Sequence, residues 1–403
     1  MRLGCTGTVV ALGAAQTLAW ASTYYLPAML AAPMAKDLGV SVPTVFAAFS
    51  VALVVSALVG PRAGAAIDRW GGRPVLMGTS VLFALGLLGL GLAEGSVGLF
   101  AAWIITGIGM GSGLYETAFA TLVRLYGRDS RSGITGITLI AGFASTVGWP
   151  LSALLEAQWG WREACFTWAA LHLLLGLPLN AILPRAVALP ARHDLPLKDE
   201  GSASARGRSA GASWRATFVL SFVFAATWFI STAMAAHLPR LLQAAGASLA
   251  TAVFVGTLIG PAQVGARLLE FGLLRKVHPL LSARIASVLH PLGVVLLVLF
   301  GAPAAAAFGI LHGAGNGILT IAKGTLPLVI FGPHGYGHRQ GVLMVPARVA
   351  QALAPWLFGL ALDRWGSGSL VLSAGIGVMA FIALLTLRLA TDAAWSDTPP
   401  ARD

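Results

Sequence analysis

Apolar runs of about 20 residues, the length that takes a helix across about 30 Å of hydrocarbon, recur along the whole of this chain. Twelve can be marked, at about 8–32, 44–66, 75–93, 98–124, 133–155, 163–183, 217–239, 249–271, 281–301, 304–330, 341–361 and 369–390. Of the 403 residues, 57% are hydrophobic and 10% charged, too little polar surface to cover a water-soluble globule of this size. The expectation is an all-α membrane protein with twelve transmembrane helices, its surroundings the lipid bilayer.

The formal net charge is +11, which by itself would suit nucleic acid, but its distribution argues against that partner. With the N-terminus inside, alternate loops carry Arg69 and Arg73, then Arg124, Arg128 and Arg131, then Arg185 to Arg215, then Arg275, Lys276 and Arg284, then Arg339. The opposite loops hold only Lys36, Arg162, Arg240 and Arg364. This bias puts both termini in the cytoplasm and the protein in the inner (plasma) membrane. Met1-Arg2 and the following apolar run have the outline of a signal peptide, yet the run continues past Ala21 and reads as a retained first helix. Cys5 and Cys165 are too few for a disulfide framework or a cysteine metal site.

One polar interval, about 184–216, is rich in Gly, Ser, Pro and mixed charge and reads as a cytoplasmic linker. It separates an N-terminal six-helix bundle at 1–183 from a C-terminal one at 217–390, with a tail at 391–403. Short signatures recur across that division. Gly109-Met-Gly111-Ser-Gly113 in the fourth span returns as Gly313-Ala-Gly315-Asn-Gly317 in the tenth, 204 residues on, and offers a smooth face for close packing or for a bound molecule. An acid, an aromatic and a glycine close every third span: Asp68-Arg-Trp-Gly71, Glu156-Ala-Gln-Trp-Gly160, Glu270-Phe-Gly272 and Asp363-Arg-Trp-Gly366. Four such corners on alternating sides predict two inverted three-helix repeats per bundle and a pseudo-twofold axis between bundles.

The first corner is the most heavily marked stretch of the chain, Gly64-x-x-x-Asp68-Arg69-x-Gly71-x-Arg73. It resembles the loop 2–3 signature of the major facilitator superfamily, and the six-plus-six layout extends that resemblance over essentially the whole chain. The resemblance implies two bundles rocking about a central site, with spans 1, 4, 7 and 10 around the cavity. It also implies a conformational gate at Gly64, Asp68, Arg69, Gly71 and Arg73, with Asp68 against the N-terminus of span 11 near Gln340 and Gly341, and Arg124 or Arg128 sharing it. Tyr115 beside the glycine-rich span 4, Gly160-Trp161-Arg162, and Gly265-Ala-Arg267 are similar to the monocarboxylate-porter branch. Relatives of that branch use a span 8 arginine for the substrate carboxylate and an acid four residues earlier for the proton; here the earlier position is Gln263. Trp103 stands where drug/proton antiporters carry a span 4 arginine.

A charge at membrane depth costs about 2.5–3.5 kcal/mol or more unless paired or wet, so ionisable residues inside spans are candidates for function. Arg267, Lys323 and Arg348 are the basic ones; Glu116 is the main central acid, either neutralising a cation or carrying a coupling proton. Arg267 could instead pair with Glu270, and Lys323 could snorkel to the interface. His312 and Asn316 share a helix face one turn apart, and Trp20, Tyr24 and Trp228 are the aromatics best placed to line a site. His334, His338 and Arg339 read as solvated loop residues. Met29, Met34, Met234 and His237 have the ligand types of a soft-metal site, but methionine at helical spacing is more often packing, and no metal or other cofactor is expected.

Core cations outnumber core acids. The expected function is therefore a secondary active transporter, not an enzyme, that moves a small organic anion such as a monocarboxylate by alternating access, as a symporter or antiporter with a proton. No phosphate-cradling loop is present to couple nucleotide hydrolysis. Efflux of drugs or other amphipathic compounds is the alternative, with metal transport and a non-transporting membrane sensor behind it, and a monomer is expected.

Overall fold

The computed structural model describes residues 4–186, 203–273 and 277–387. These residues are helical throughout, with no strand among them. The N-terminal half holds α1 (Cys5–Ser22), α2 (Leu26–Asp37), α3 (Val42–Trp70), α4 (Gly72–Gly91), α5 (Gly95–Gly113), α6 (Tyr115–Tyr126), α7 (Arg131–Ala141), α8 (Ala144–Trp159), α9 (Trp161–Leu171) and α10 (Leu177–Ala181). The C-terminal half holds α11 (Ala203–Ala244), α12 (Leu249–Gly272), α13 (Pro279–Phe300), α14 (Ala305–Phe331), α15 (Tyr336–Trp365) and α16 (Ser369–Leu385). Nine helical stretches among the described residues are long and apolar enough to cross a membrane. Two of them, Gly95–Trp159 and Tyr336–Leu385, run to 65 and 50 residues, more than twice the length of one crossing.

Residues 187–202 of the expected linker and the whole expected tail lie outside the described residues. Within them α11 starts at Ala203, well before the expected 217. Once a helix is nucleated, each added residue gains a hydrogen bond, and an Ala-rich stretch extends it readily.

Several of the expected spans are interrupted near mid-depth. Pro27 lacks an N–H and its ring crowds the carbonyl of residue 23, where α1 gives way to α2. After the glycine run of α5, Leu114 turns extended (φ −86°, ψ −166°) and α6 starts afresh. In hydrocarbon each carbonyl freed by such a break needs a partner. Gln16 Nε2 donates to the Gly113 carbonyl at 2.6 Å and Thr79 Oγ1 to that of Ser112 at 2.9 Å. At the α7–α8 break, Arg267 Nη1 from the other half donates to the Thr138 carbonyl at 3.0 Å.

The paired glycine runs are packing devices. A Cβ on Gly107 would lie 2.5 Å from the Ala52 carbonyl of α3, and one on Gly111 2.7 Å from that of Ser56. In the other half, a Cβ on Gly313 would lie 2.7 Å from the Ile259 carbonyl of α12, and one on Gly317 2.5 Å from that of Gln263. The same close approach is thus repeated in both halves, and it answers the choice between packing and ligand space in favour of packing. The apolar core divides in the same way. One cluster, around Phe83, Trp103 and Phe119, takes in α1 to α9 and reaches across to Leu328, Tyr336 and Ala352 of the C-terminal half. Two others, around Phe308 with Phe358 and around Phe224 with Leu343, belong to the C-terminal half. Large side chains such as Leu58, Phe218, Leu299 and Trp356 stay exposed, as expected of a surface that faces lipid rather than water.

All four repeated corners close helices. Gly71, Gly160 and Gly366 follow α3, α8 and α15 with φ of 82°, 96° and 54°, a region that favours glycine. Gly272 differs: it ends α12 in ordinary helical geometry, and Leu273 is the cap.

Candidate substrate site and gate

The break at Leu114 decides the electrostatics of the centre. It makes Glu116 a first-turn residue of α6, where free N–H groups and the helix dipole favour an anion. Arg348, on α15, reaches it: Arg348 Nη2 donates to Glu116 Oε2 at 3.0 Å. Arg348 Nη1 donates to Gln351 Oε1 at 3.1 Å, and Gln351 Nε2 donates to the Tyr24 hydroxyl at 2.9 Å. One polar chain therefore runs from α6 through α15 to the α1–α2 break, joining the two halves. Arg348 is 3% exposed and Gln351 0%, so neither is a solvated surface residue.

Around this chain stands an aromatic wall. Trp20 lies parallel to Trp228 with centroids 6.2 Å apart, and Tyr115 and Tyr24 flank it at 4.9 and 5.1 Å. Trp228, from α11, is the contact for both basic groups: Lys323 Nζ sits 4.0 Å from its ring centroid and Arg348 Cζ 5.6 Å. Lys323 is 5% exposed, and among the described residues no carboxylate lies within ion-pair distance of its nitrogen. The indole N–H groups of Trp20 and Trp228 are buried without a hydrogen-bond acceptor in the protein. Both of these open groups are donors.

Trp20, Tyr24, Glu116, Trp228, Lys323 and Arg348 thus come together as one site; Arg267 stands within electrostatic reach of Tyr115 and Lys323 but is bonded away from them, and His312 and Asn316 stand elsewhere. Arg267 is buried and directed at α7, bound to Thr138 and, at 3.5 Å, to Gln263 Oε1. It does not pair with Glu270, which faces Arg131 of α7 at 3.7 Å. His312 and Asn316 line a separate hollow within the C-terminal half. Sequence reasoning missed Gln351, whose signal was its position one turn beyond Arg348. It also missed His290, an ionisable residue in the ninth apolar run.

At the gate, Asp68 accepts two backbone N–H bonds at the start of α15, from Gly337 at 2.9 Å and His338 at 2.8 Å. The expected partners, Gln340 and Gly341, lie a turn further on, because α15 begins at Tyr336 rather than 341. His338 also donates from Nδ1 to the Pro61 carbonyl at 3.2 Å, so it belongs to the contact and is not merely a solvated loop residue. Gly64 explains itself here: any Cβ would overlap the Gly337 backbone, and a Cβ on Gly341 would lie 2.5 Å from Pro61 Cα. Gly71 caps α3. Arg124 Nε donates to the Asp68 backbone carbonyl at 3.2 Å. Arg69 is exposed beside Trp70, Arg73 is half-buried at the start of α4, and Arg128 is exposed.

Those placements fit what the chain resembles. The defining pattern of the Major Facilitator Superfamily matches residues 12–308. The chain belongs to that superfamily. Among its relatives is the "Uncharacterized 38 kDa protein in 23S RNA operon" of Thermoproteus tenax, 28% identical over 369 residues, covering 90% of this chain and 91% of that protein. A multidrug resistance protein B homolog of Mycobacterium tuberculosis is 24% identical over 342 residues, 82% of this chain and 55% of its own length. Among solved structures, the human organic anion transporter MFSD10 superposes with a TM-score of 0.67 at 18% identity, over 94% of this chain and 98% of that one. The fucose:proton symporter FucP of E. coli superposes with a TM-score of 0.69 at 14% identity, over 95% of this chain and 98% of that one. At these identities the superpositions speak for the fold.

Proposed function

We propose that this protein is a secondary active transporter of small organic anions in the plasma membrane, working by alternating access. Its twelve transmembrane helices form two six-helix bundles, 1–183 and 217–390, with residues 184–216 and 391–403 in the cytoplasm. Counting each of the two longest helical stretches as two crossings, and α1 with α2 as one, gives that number. The charge bias puts the Asp68 end inside. At that end the halves are bonded through Asp68 with α15, Arg131 with Glu270, and Arg131 with the Val277 carbonyl at 2.8 Å. This is the arrangement of a state closed to the cytoplasm.

The observation that carries the anion reading is Lys323. Arg348 is ion-paired with Glu116, whereas Lys323 lies buried against Trp228 with no ion pair of its own and feels Glu116 only through space. A buried unpaired charge costs several kcal/mol, and a visiting carboxylate would remove that cost while filling the open indole donors. MFSD10, an organic anion transporter of the same fold, supports the same substrate class.

A second reading, efflux of amphipathic drugs, is favoured by the aromatic wall and by the relatives named for multidrug resistance. Uptake into proteoliposomes of a labelled monocarboxylate panel, alongside amphipathic cations, separates the two. Saturable carboxylate uptake lost in Lys323→Gln is expected; transport of the cations alone would transfer the assignment to drug efflux.

A further inference from the structure

The C-terminal half contains a second polar centre, away from Lys323. His312 of α14 and His290 of α13 meet Nδ1 to Nδ1 at 3.1 Å, and His290 Nε2 meets Ser373 Oγ of α16 at 3.1 Å. The Leu370 carbonyl, 2.9 Å from Ser373 Oγ, can only accept, and with that bond made Ser373 accepts from His290 rather than donating to it. His290 therefore carries its hydrogen on Nε2 and presents a lone pair at Nδ1. Two lone pairs cannot face each other at 3.1 Å, so His312 carries its hydrogen on Nδ1 and donates it. In the neutral pair this leaves one basic atom without a proton, His312 Nε2.

We propose that His312 Nε2 is a proton-binding site of this transporter, with the His290–Ser373 relay holding the ring in the accepting tautomer. The pair borders a narrow, water-sized cavity that Thr227, Ser231, Ser287 and Asn316 also line. A proton from water forms a bond to the Nε2 lone pair, the pair gains one positive charge, and no other bond breaks. The Nδ1–H to Nδ1 bond survives and becomes charge-assisted. The new Nε2–H needs an acceptor, and Asn316, whose side-chain amide can accept, lines the same cavity one turn further along α14.

Among the described residues nothing else that titrates faces this pair. The cavity residues of α11 and α16 are hydroxyls or non-polar. On α13, Arg284 is turned to the carbonyls of Leu384 and Leu387 at 3.2 and 2.7 Å. On α14, Lys323 lies about 16 Å further along the axis, against Trp228. On α12, Arg267 and Glu270 are directed at α7, and on α15 Arg348 is directed at Glu116. The N-terminal half supplies an internal control. Its corresponding hollow is lined by Gln16, Thr79, Ser80, Phe83, His172 and Asn180, among others, and the packing register that matches Gly107 and Gly111 to Gly313 and Gly317 places Thr106, which does not titrate, where the C-terminal half has His312. There His172 meets Ser22 at 2.7 Å and has no second histidine, so the fold does not need the pair.

The test reads the proton itself, with no substrate present, so it stands or falls apart from the assignment of the cargo. The full-length protein, labelled with 15N-histidine and reconstituted in lipid, is followed by NMR from pH 8 to pH 5. His290→Gln and His312→Gln assign the signals. At high pH the proposal expects a scalar coupling across the Nδ1–H to Nδ1 bond, with His312 Nε2 unprotonated. As the pH falls, His312 Nε2 gains a proton while the coupling persists. A His312 Nε2 that stays unprotonated throughout would show the pair to be a packing bridge and overturn the proposal. The opposite tautomer, or loss of the coupling on protonation, would overturn it as well. The wild-type spectrum decides these outcomes even if a variant fails to fold.

Discussion

The two halves of this molecule share their helix packing and differ in their chemistry. Gly107 and Gly111 press α5 onto α3 as Gly313 and Gly317 press α14 onto α12. Yet the N-terminal half gives the centre Trp20, Tyr24, Tyr115 and one acid, Glu116, while the C-terminal half gives Lys323, Arg348 and Trp228. Their closing corners differ too. Asp68 is held by two short N–H bonds at a helix start, Glu270 by a single ion pair at 3.7 Å. Backbone repetition therefore fixes how the halves pack, and a few side chains on that common frame fix what each does.

The largest effect is expected where the halves are bridged at the centre. Arg348→Ala should leave the half-buried Glu116 without its ion pair and destabilise the detergent-solubilised protein by about 3 kcal/mol. The double variant Arg348→Met, Glu116→Gln should recover most of that loss without recovering transport. Thermal unfolding of both variants checks the pair, and equal stability of the single and double variants would break the account of it.

The next effect is expected at the gate. Asp68→Asn loses charge-assisted bonds worth about 1.5–3 kcal/mol each and should slow transport roughly ten-fold or more while leaving ligand affinity unchanged. Glu270→Gln removes a longer contact worth under about 1 kcal/mol and should slow it only a few-fold. Turnover in proteoliposomes ranks the two. If Glu270→Gln were the more damaging, the closing contact would belong to the α12 corner, and the contrast between the halves would reverse.

The smallest effect is expected at Gln351, which links Arg348 to Tyr24 without bearing charge. Gln351→Ala should lower apparent affinity several-fold by loosening Arg348, with stability little changed. An unchanged affinity would mean that the relay to the α1–α2 break orders the helices only.

The helices were legible because runs of about 20 apolar residues admit little else in a bilayer. The Asp68 corner was legible because charge and glycine stand out in such a background. The direction of each intramembrane side chain was not. Where a helix is apolar all round, the 3.6-residue period marks no face, so Arg267 could not be told from Arg348 by pattern. One serves a carbonyl freed at the α7–α8 break and the other the central acid. The early start of α15 was hidden for a related reason: Tyr336 to Gln340 reads as a polar loop, and the carboxylate that caps it lies 269 residues away in sequence.

The central claim is that Lys323, a buried cation without an ion pair of its own, recognises an anion. Calorimetric titration of a transported carboxylate into the purified protein tests it most directly, comparing wild type, Lys323→Arg and Lys323→Gln. The account predicts that Lys323→Gln weakens binding by roughly ten- to hundred-fold, the worth of a charge-assisted bond, while Lys323→Arg retains most of it. Equal affinity in wild type and Lys323→Gln would contradict it.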